Sequence, residues 1–223
     1  MHTRSCPVVA FSPVSPAPMR SSFLSLALGA VFVFASFADA LSAQVPVPAK
    51  KKEGARREVV WNNPSGPARP GITHHVLQSA AMERDVGYNV YLPPGYESGS
   101  LRYPVIYFLH GAGGNENSDG PGFARFVAKL IQSKEIPPVI CVFPNGGMSA
   151  YRDHPETKIM VETMLIKELV PLIDATYRTR PDRGSRLLAG YSMGSGGAAR
   201  LAFVYPGLFS AAGGWGLSFT GRS

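Results

Sequence analysis

Arg186-Leu187-Leu188-Ala189-Gly190-Tyr191-Ser192-Met193-Gly194-Ser195-Gly196-Gly197-Ala198 is the stretch on which the fold turns. It begins as an apolar run, passes through G-x-S-x-G and continues into small residues. That order predicts a strand over 186–191, a sharp turn at Ser192 and a helix over 194–205. A serine hydroxyl lifted out on such a turn is placed to act as a nucleophile. The turn crowds the backbone, so the positions two before and two after need small residues, and Gly190 and Gly194 supply them. Gly196, Gly197 and Ala198 are expected to bring the helix close to the sheet. The helix N-terminus favours negative charge developing beside Ser192. A glycine-rich turn with an incidental serine is the bland alternative, and the flanking strand and helix weaken it. A phosphate-binding loop would need a lysine after the glycines, and none is there.

Outward from this stretch, strands alternate with helices. Strands are expected over 73–80 and 85–92, and Pro93-Pro94-Gly95 ends the second because proline cannot continue a ladder. Residues 103–109 form a near-continuous apolar run, the signature of a strand covered on both faces. A helix over 123–132, a strand over 138–143 and a long helix over 157–177 follow. Ile159, Leu165, Ile166, Leu169, Ile173 and Tyr177 fit the helical period, and Pro171 is expected to bend that helix. One more strand is expected over 209–215. Strand–helix alternation with apolar strands implies a mostly parallel α/β sheet with helices on both faces.

The second motif is His110-Gly111-Ala112-Gly113-Gly114, at the end of the strand over 103–109. Acyl transfer passes through a tetrahedral oxyanion that needs backbone N–H donors aimed at it. One donor is the residue after the nucleophile, here Met193; the other comes from a loop after an earlier strand. His110 precedes the serine, whereas this architecture runs serine, acid, histidine, so its imidazole is expected to hold the loop by hydrogen bonds.

Tyr91-Leu92-Pro93-Pro94-Gly95-Tyr96, Tyr103-Pro104-Val105-Ile106-Tyr107-Phe108-Leu109-His110-Gly111 and Gly190-Tyr191-Ser192-Met193-Gly194-Ser195-Gly196-Gly197 together resemble the putative-esterase family of α/β-hydrolases. That group includes feruloyl esterases, S-formylglutathione hydrolases, enterochelin esterases and mycolyltransferases. The resemblance covers about 73–215. It implies an α/β-hydrolase fold, Ser192 as nucleophile and Ala112 and Met193 as the oxyanion-hole amides. It also places Pro144-Asn145-Gly146 at the border of the pocket and implies a small-molecule or carbohydrate-linked ester as substrate.

The chain departs from the family at the base. A serine needs a histidine, itself held by a carboxylate, and in this family both follow the nucleophile. The residues after Ser192 contain no Asp, Glu or His. Upstream stand His74, His75, His110 and His154 with Asp119, Asp153 and Asp174. His74 and His75 are neighbours on a strand and point to opposite faces. Asp153-His154, in a loop within reach of the pocket rim, is read as a solvated loop pair, with a substrate contact as the alternative. The expectation is a domain over 72–223 that lacks the last strands of the fold and is inactive as it stands. An acyltransferase on the same fold, and a non-catalytic remnant or binding module, are the alternatives. No metal and no cofactor are expected.

The first 43 residues read as a signal peptide: Arg20, an apolar run over 23–37, then Ala38-Asp39-Ala40-Leu41-Ser42-Ala43. The run is shorter than the roughly 20 residues that span a bilayer, so no stable membrane span is expected after cleavage, and the mature chain is expected to be secreted or periplasmic. Residues 44–71 read as a flexible basic, proline-rich tether, and the fold is expected to start near Ile72. Net charge is +7, but Lys50, Lys51, Lys52, Arg56 and Arg57 against Glu53 and Glu58 place +3 of it in this tether, the leader adds +1 and the rest is spread thinly, which argues against a nucleic-acid surface. Hydrophobic residues at 45% exclude wholesale disorder. Cys6 would leave with the leader. Cys141, in an apolar strand, reads as a buried structural thiol. Mass spectrometry of exported protein is expected to find an N-terminus near Leu41 or Gln44; an intact Met1 or Met19 on cytoplasmic protein would contradict the leader.

Overall fold

The computed structural model describes residues 58–64 and 69–216; the stretch read as a leader and most of that read as a tether lie outside the described residues. Among the described residues there are eight strands: β1 (Ile72–Ser79), β2 (Arg84–Tyr91), β3 (Val105–Leu109), β4 (Ile140–Pro144), the short pair β5 (Asp153–His154) and β6 (Ile159–Met160), β7 (Arg186–Tyr191) and β8 (Ala211–Trp215). Six form one sheet in the order β1-β2-β4-β3-β7-β8. β1–β2 and β2–β4 pair antiparallel, while β4–β3, β3–β7 and β7–β8 pair parallel. The mostly parallel sheet is therefore entered through an antiparallel hairpin.

Strand alternation sorts the core into two layers. Val105, Tyr107 and Leu109 of β3, with Ile140 and Val142 of β4, face one side. Phe108 of β3, with Cys141 and Phe143 of β4, faces the other. The second side is covered by α1 (Gly120–Gln132) through Ala124 and Val127. The first side is covered by a composite helix through Val161, Leu165, Leu169 and Ile173, and by α4 (Met193–Val204) through Ala198 and Leu201. Helices on both faces are the reason these strands read as continuous apolar runs. Cys141 is fully buried, and burial pushes its thiol pKa up, away from reactivity.

The composite helix is shorter and less regular than the periodicity predicts. Residues 157–160 are spent on a short 3₁₀ turn and on β6. The helix then runs as α2 (Val161–Thr163), a π-helical stretch over Met164–Leu169, and α3 (Val170–Thr176). Pro171 has no N–H to offer the carbonyl of Lys167, and the hydrogen-bond register widens immediately before it.

The fold also begins earlier than Ile72. Trp61 is only 9% exposed and belongs to the main core cluster. Its carbonyl accepts the Gly87 N–H at 2.7 Å, and Arg84 lies over its ring at 5.7 Å. One aromatic in a polar stretch carries no periodicity, which is why the sequence reads this segment as tether. Trp61→Ala is expected to lower stability by about 3 kcal/mol, read from thermal or denaturant unfolding. A change under about 0.5 kcal/mol, as for an ordinary surface position, would mean that residues 58–64 lie loosely on the sheet.

Candidate active site

β7 delivers its chain to the turn with no room to spare. A Cβ on Gly190 would come within 2.3 Å of the Gly194 carbonyl carbon, and one on Gly194 within 1.9 Å of the Leu109 carbonyl oxygen. Only hydrogen fits at either position, so α4 starts directly against the end of β3. Ser192 between them takes φ 50° and ψ −113°, a region that costs an L-residue on the order of 1–3 kcal/mol. The Ser192 N–H is tied to the Trp215 carbonyl at 2.9 Å. The buried Ser195 hydroxyl sits 2.8 Å from the Gly190 carbonyl and 2.7 Å from that of Trp215, and donates to one at a time. These bonds tie the turn to β8. The Ser192 side chain makes no capping bond.

Two of the small residues after the turn act differently from the sequence reading. Gly196 faces open space, and Gly197 makes room for the ring of Tyr151, which a Cβ there would approach to 2.7 Å. The close approach of helix to sheet belongs to Gly194.

The glycine loop after β3 lies beside the turn: a Cβ on Gly111 would come to 2.9 Å from the Tyr191 ring and 3.5 Å from Ser192 Cβ. Its amides are occupied with one exception. Gly111 N–H donates to Asp119 Oδ2 at 3.0 Å, Gly113 N–H to Met148 Sδ at 3.0 Å, and Gly114 N–H to the Gly111 carbonyl at 3.1 Å. Ala112 N–H has no partner among the described residues. Met193 opens α4, so its N–H has no carbonyl four residues back to bond within the helix.

His110 holds this loop, as the sequence reading expects. Its ring is 2% exposed. Nε2 accepts the Gly146 N–H at 2.9 Å, so the ring proton sits on Nδ1, which donates to the Gly111 carbonyl at 2.8 Å. Burial lowers its pKa, opposed by the Gly111 bond and by Asp119 and Glu116. Tyr151, fully buried at φ 56°, donates its hydroxyl to the His110 carbonyl at 3.1 Å.

The remaining sequence candidates are committed elsewhere. His74 lies 3.5 Å from buried Glu116, while His75 meets the Tyr177 hydroxyl at 3.0 Å on the opposite face. His154 contacts the Ser149 carbonyl at 2.9 Å, and Asp153 accepts from Thr163 N–H at 3.0 Å and Oγ1 at 2.6 Å. Asp174 pairs with Arg186. Glu116 and Tyr151, which with Asn145 build the support of the loop, escaped the sequence reading, which set Asn145 at the pocket border without this network. The sequence signal available was Asn115-Glu116-Asn117, a polar triplet directly after the glycine loop. No cluster of three or more metal-ligating side chains occurs among the described residues.

A strained serine on a glycine-walled strand-to-helix turn, with amides beside it, is the arrangement of an α/β-hydrolase. The family model described as putative esterase matches residues 79–216, and the chain belongs to that family. Esterase Rv1288 of Mycobacterium tuberculosis is 33% identical over 147 residues, covering 64% of this chain and 31% of that protein. An endo-1,4-beta-xylanase/feruloyl esterase of Xylanibacter ruminicola is 36% identical over 138 residues, 58% of this chain and 19% of its own length. Among solved structures, a ferulic acid esterase superposes with TM-score 0.59 at 30% identity, covering 63% of this chain and 56% of that one. An S-formylglutathione hydrolase from Agrobacterium tumefaciens superposes with TM-score 0.56 at 20% identity, covering 69% and 61%. The chain thus spans about a third or less of the curated relatives.

Because its folded pKa is lowered, His110 stays neutral where an unfolded histidine, near pH 6.5, takes up a proton. Its contribution to stability is present above that pH and is lost as pH falls through it. Against His110→Gln, which keeps an acceptor for Gly146, the wild-type stability advantage is expected to shrink below pH 6.5 by at most about 1.4 kcal/mol per pH unit. Unfolding measured between pH 8 and 5 checks this; an advantage constant across that range would refute it.

Proposed function

We propose that this chain carries the nucleophile of a secreted serine carboxylic-ester hydrolase, with Ser192 attacking and the N–H groups of Ala112 and Met193 receiving the oxyanion. The observation that carries the reading is the pairing of a strained, half-buried Ser192, whose hydroxyl makes no capping bond, with the one amide of residues 111–114 that lacks a partner among the described residues. Ser192 Oγ bonds to the ester carbonyl carbon while the carbonyl electrons move onto oxygen, where the two N–H groups stabilise them. Collapse expels the alcohol, which takes up the proton given up by Ser192. Water then repeats the sequence at the acyl-serine and releases the acid.

The proton needs a base during attack, and all four described histidines are engaged away from Ser192. The 223-residue chain by itself is therefore expected to turn over slowly, because an unassisted serine hydroxyl is a weak nucleophile. The relatives named for feruloyl and ferulic acid esterase activity support a carbohydrate-linked or small-molecule ester as substrate. The leader over 1–43 supports export.

The test compares hydrolysis of a short-chain nitrophenyl ester by serine and alanine forms of two proteins. One is the 223-residue chain; the other is a chimera completed with the part of the solved ferulic acid esterase that this chain does not cover. In the chimera, Ser192→Ala should lower kcat on the order of 10⁴- to 10⁶-fold; in the 223-residue chain it should change little. Equal turnover of the two chimeras would remove Ser192 from the mechanism. Turnover of about 10 s⁻¹, typical of enzymes, by the 223-residue chain would show that a described histidine reaches Ser192 after all.

A further inference from the structure

We infer that Glu116 is a positioning residue for the Ala112 amide, acting through Asn145 and His110; this rests on the roles proposed above for Ser192 and Ala112. Glu116 is 1% exposed, and its only basic neighbour among the described residues is His74, 3.5 Å away. A carboxylate buried without a lysine or arginine must be held by N–H donors. Oε1 accepts from Asn63 N at 2.5 Å, and Oε2 from Asn63 Nδ2 at 3.1 Å and Asn145 Nδ2 at 2.8 Å. Space is left for it by Gly87, where a Cβ would come within 2.1 Å of Oε1.

These contacts fix the Asn145 amide. Its Nδ2 is shared between Glu116 and the Val60 carbonyl at 3.0 Å, which leaves Oδ1 to accept the Gly147 N–H at 3.0 Å. The turn so held directs the Gly146 N–H at His110 Nε2, and this forces the ring proton onto Nδ1 and into the Gly111 carbonyl. That carbonyl also accepts Gly114 N–H. The Gly111–Ala112 peptide is planar, so fixing its C=O fixes its N–H in the opposite direction. A carboxylate remote from the reacting atoms thereby sets the aim of the Ala112 donor. Residues 60–63, outside the stretch matched by the family model, are part of the same support.

Glu116→Gln in the 223-residue chain tests this. Three N–H donors would then meet one acceptor oxygen and an NH₂ group. Ring ¹⁵N NMR of the wild type should show His110 as the Nδ1–H tautomer. In the variant the ring should shift toward Nε2–H, and the Gly146 amide should lose exchange protection. Binding of a phenylboronic acid, whose tetrahedral serine adduct places an oxygen at the oxyanion position, should weaken by about 10²-fold, as when one oxyanion donor is lost. Asn145→Ala removes the relay while Glu116 keeps Asn63, and should shift the tautomer the same way; it decides the matter if the glutamine variant does not fold. Variants that melt cooperatively and keep the His110 tautomer, the Gly146 protection and boronate affinity would overturn the proposal. Ser192→Ala reports on the underlying reading separately: it should abolish the adduct and leave the tautomer unmoved.

Discussion

The contact between Gly194 and the Leu109 carbonyl allows no methyl group, and the site depends on it. It brings the first turn of α4 against the end of β3, places Ser192 between two strand ends and forces that residue to positive φ. Strain of this kind persists only where the surroundings over-determine it. Here the Trp215 carbonyl on the Ser192 N–H and the Ser195 hydroxyl between two carbonyls hold the turn from the β8 side. The same contact sets the glycine loop after β3 beside the serine. The positions of Ser192 and of the 111–114 loop are therefore consequences of one close approach.

Around that contact the protein builds a polar support inside an apolar core. His110 and Tyr151 are buried with partners for the polar atoms that face the loop. Consecutive positive φ angles at Ala150 and Tyr151 bend the chain after β4 so that the Tyr151 ring fills the space left by Gly146 and Gly197. Glu116 extends the network to the segment at residues 60–63. Buried polar networks of this type specify one arrangement because a partly satisfied version is costly. The loop is thus held by protein hydrogen bonds on both sides of the Gly111–Ala112 peptide.

The two ends of the sheet differ. β1 and β2 form an antiparallel hairpin tied to the core by Trp61 and Glu116. β8 lies at the opposite edge, paired with β7 and exposed along its length. Trp215 still stacks on Phe123 of α1 and touches Phe108, so the edge is anchored through one aromatic while its small residues stay open.

Strand and helix identities were legible wherever apolar spacing was continuous. β7 matches its expected bounds, and β3, β4, α1 and α4 match within a few residues. The turn at Ser192 and its flanking Gly190 and Gly194 were legible because a sharp strand-to-helix turn admits few residue types. The composite helix was misjudged because periodicity does not report the missing N–H of Pro171 or the residues given to β6. Trp61, Glu116 and Tyr151, and the network role of Asn145, were invisible because each acts through partners tens of residues away, as in the separation of 85 residues between Asn145 and Val60. Local pattern determined the α/β alternation, the sharp turn at Ser192 and the small residues it demands. Tertiary structure alone decided which amide stays free, which tautomer His110 takes and where the fold begins, because those are settled by hydrogen bonds between segments that are distant in sequence.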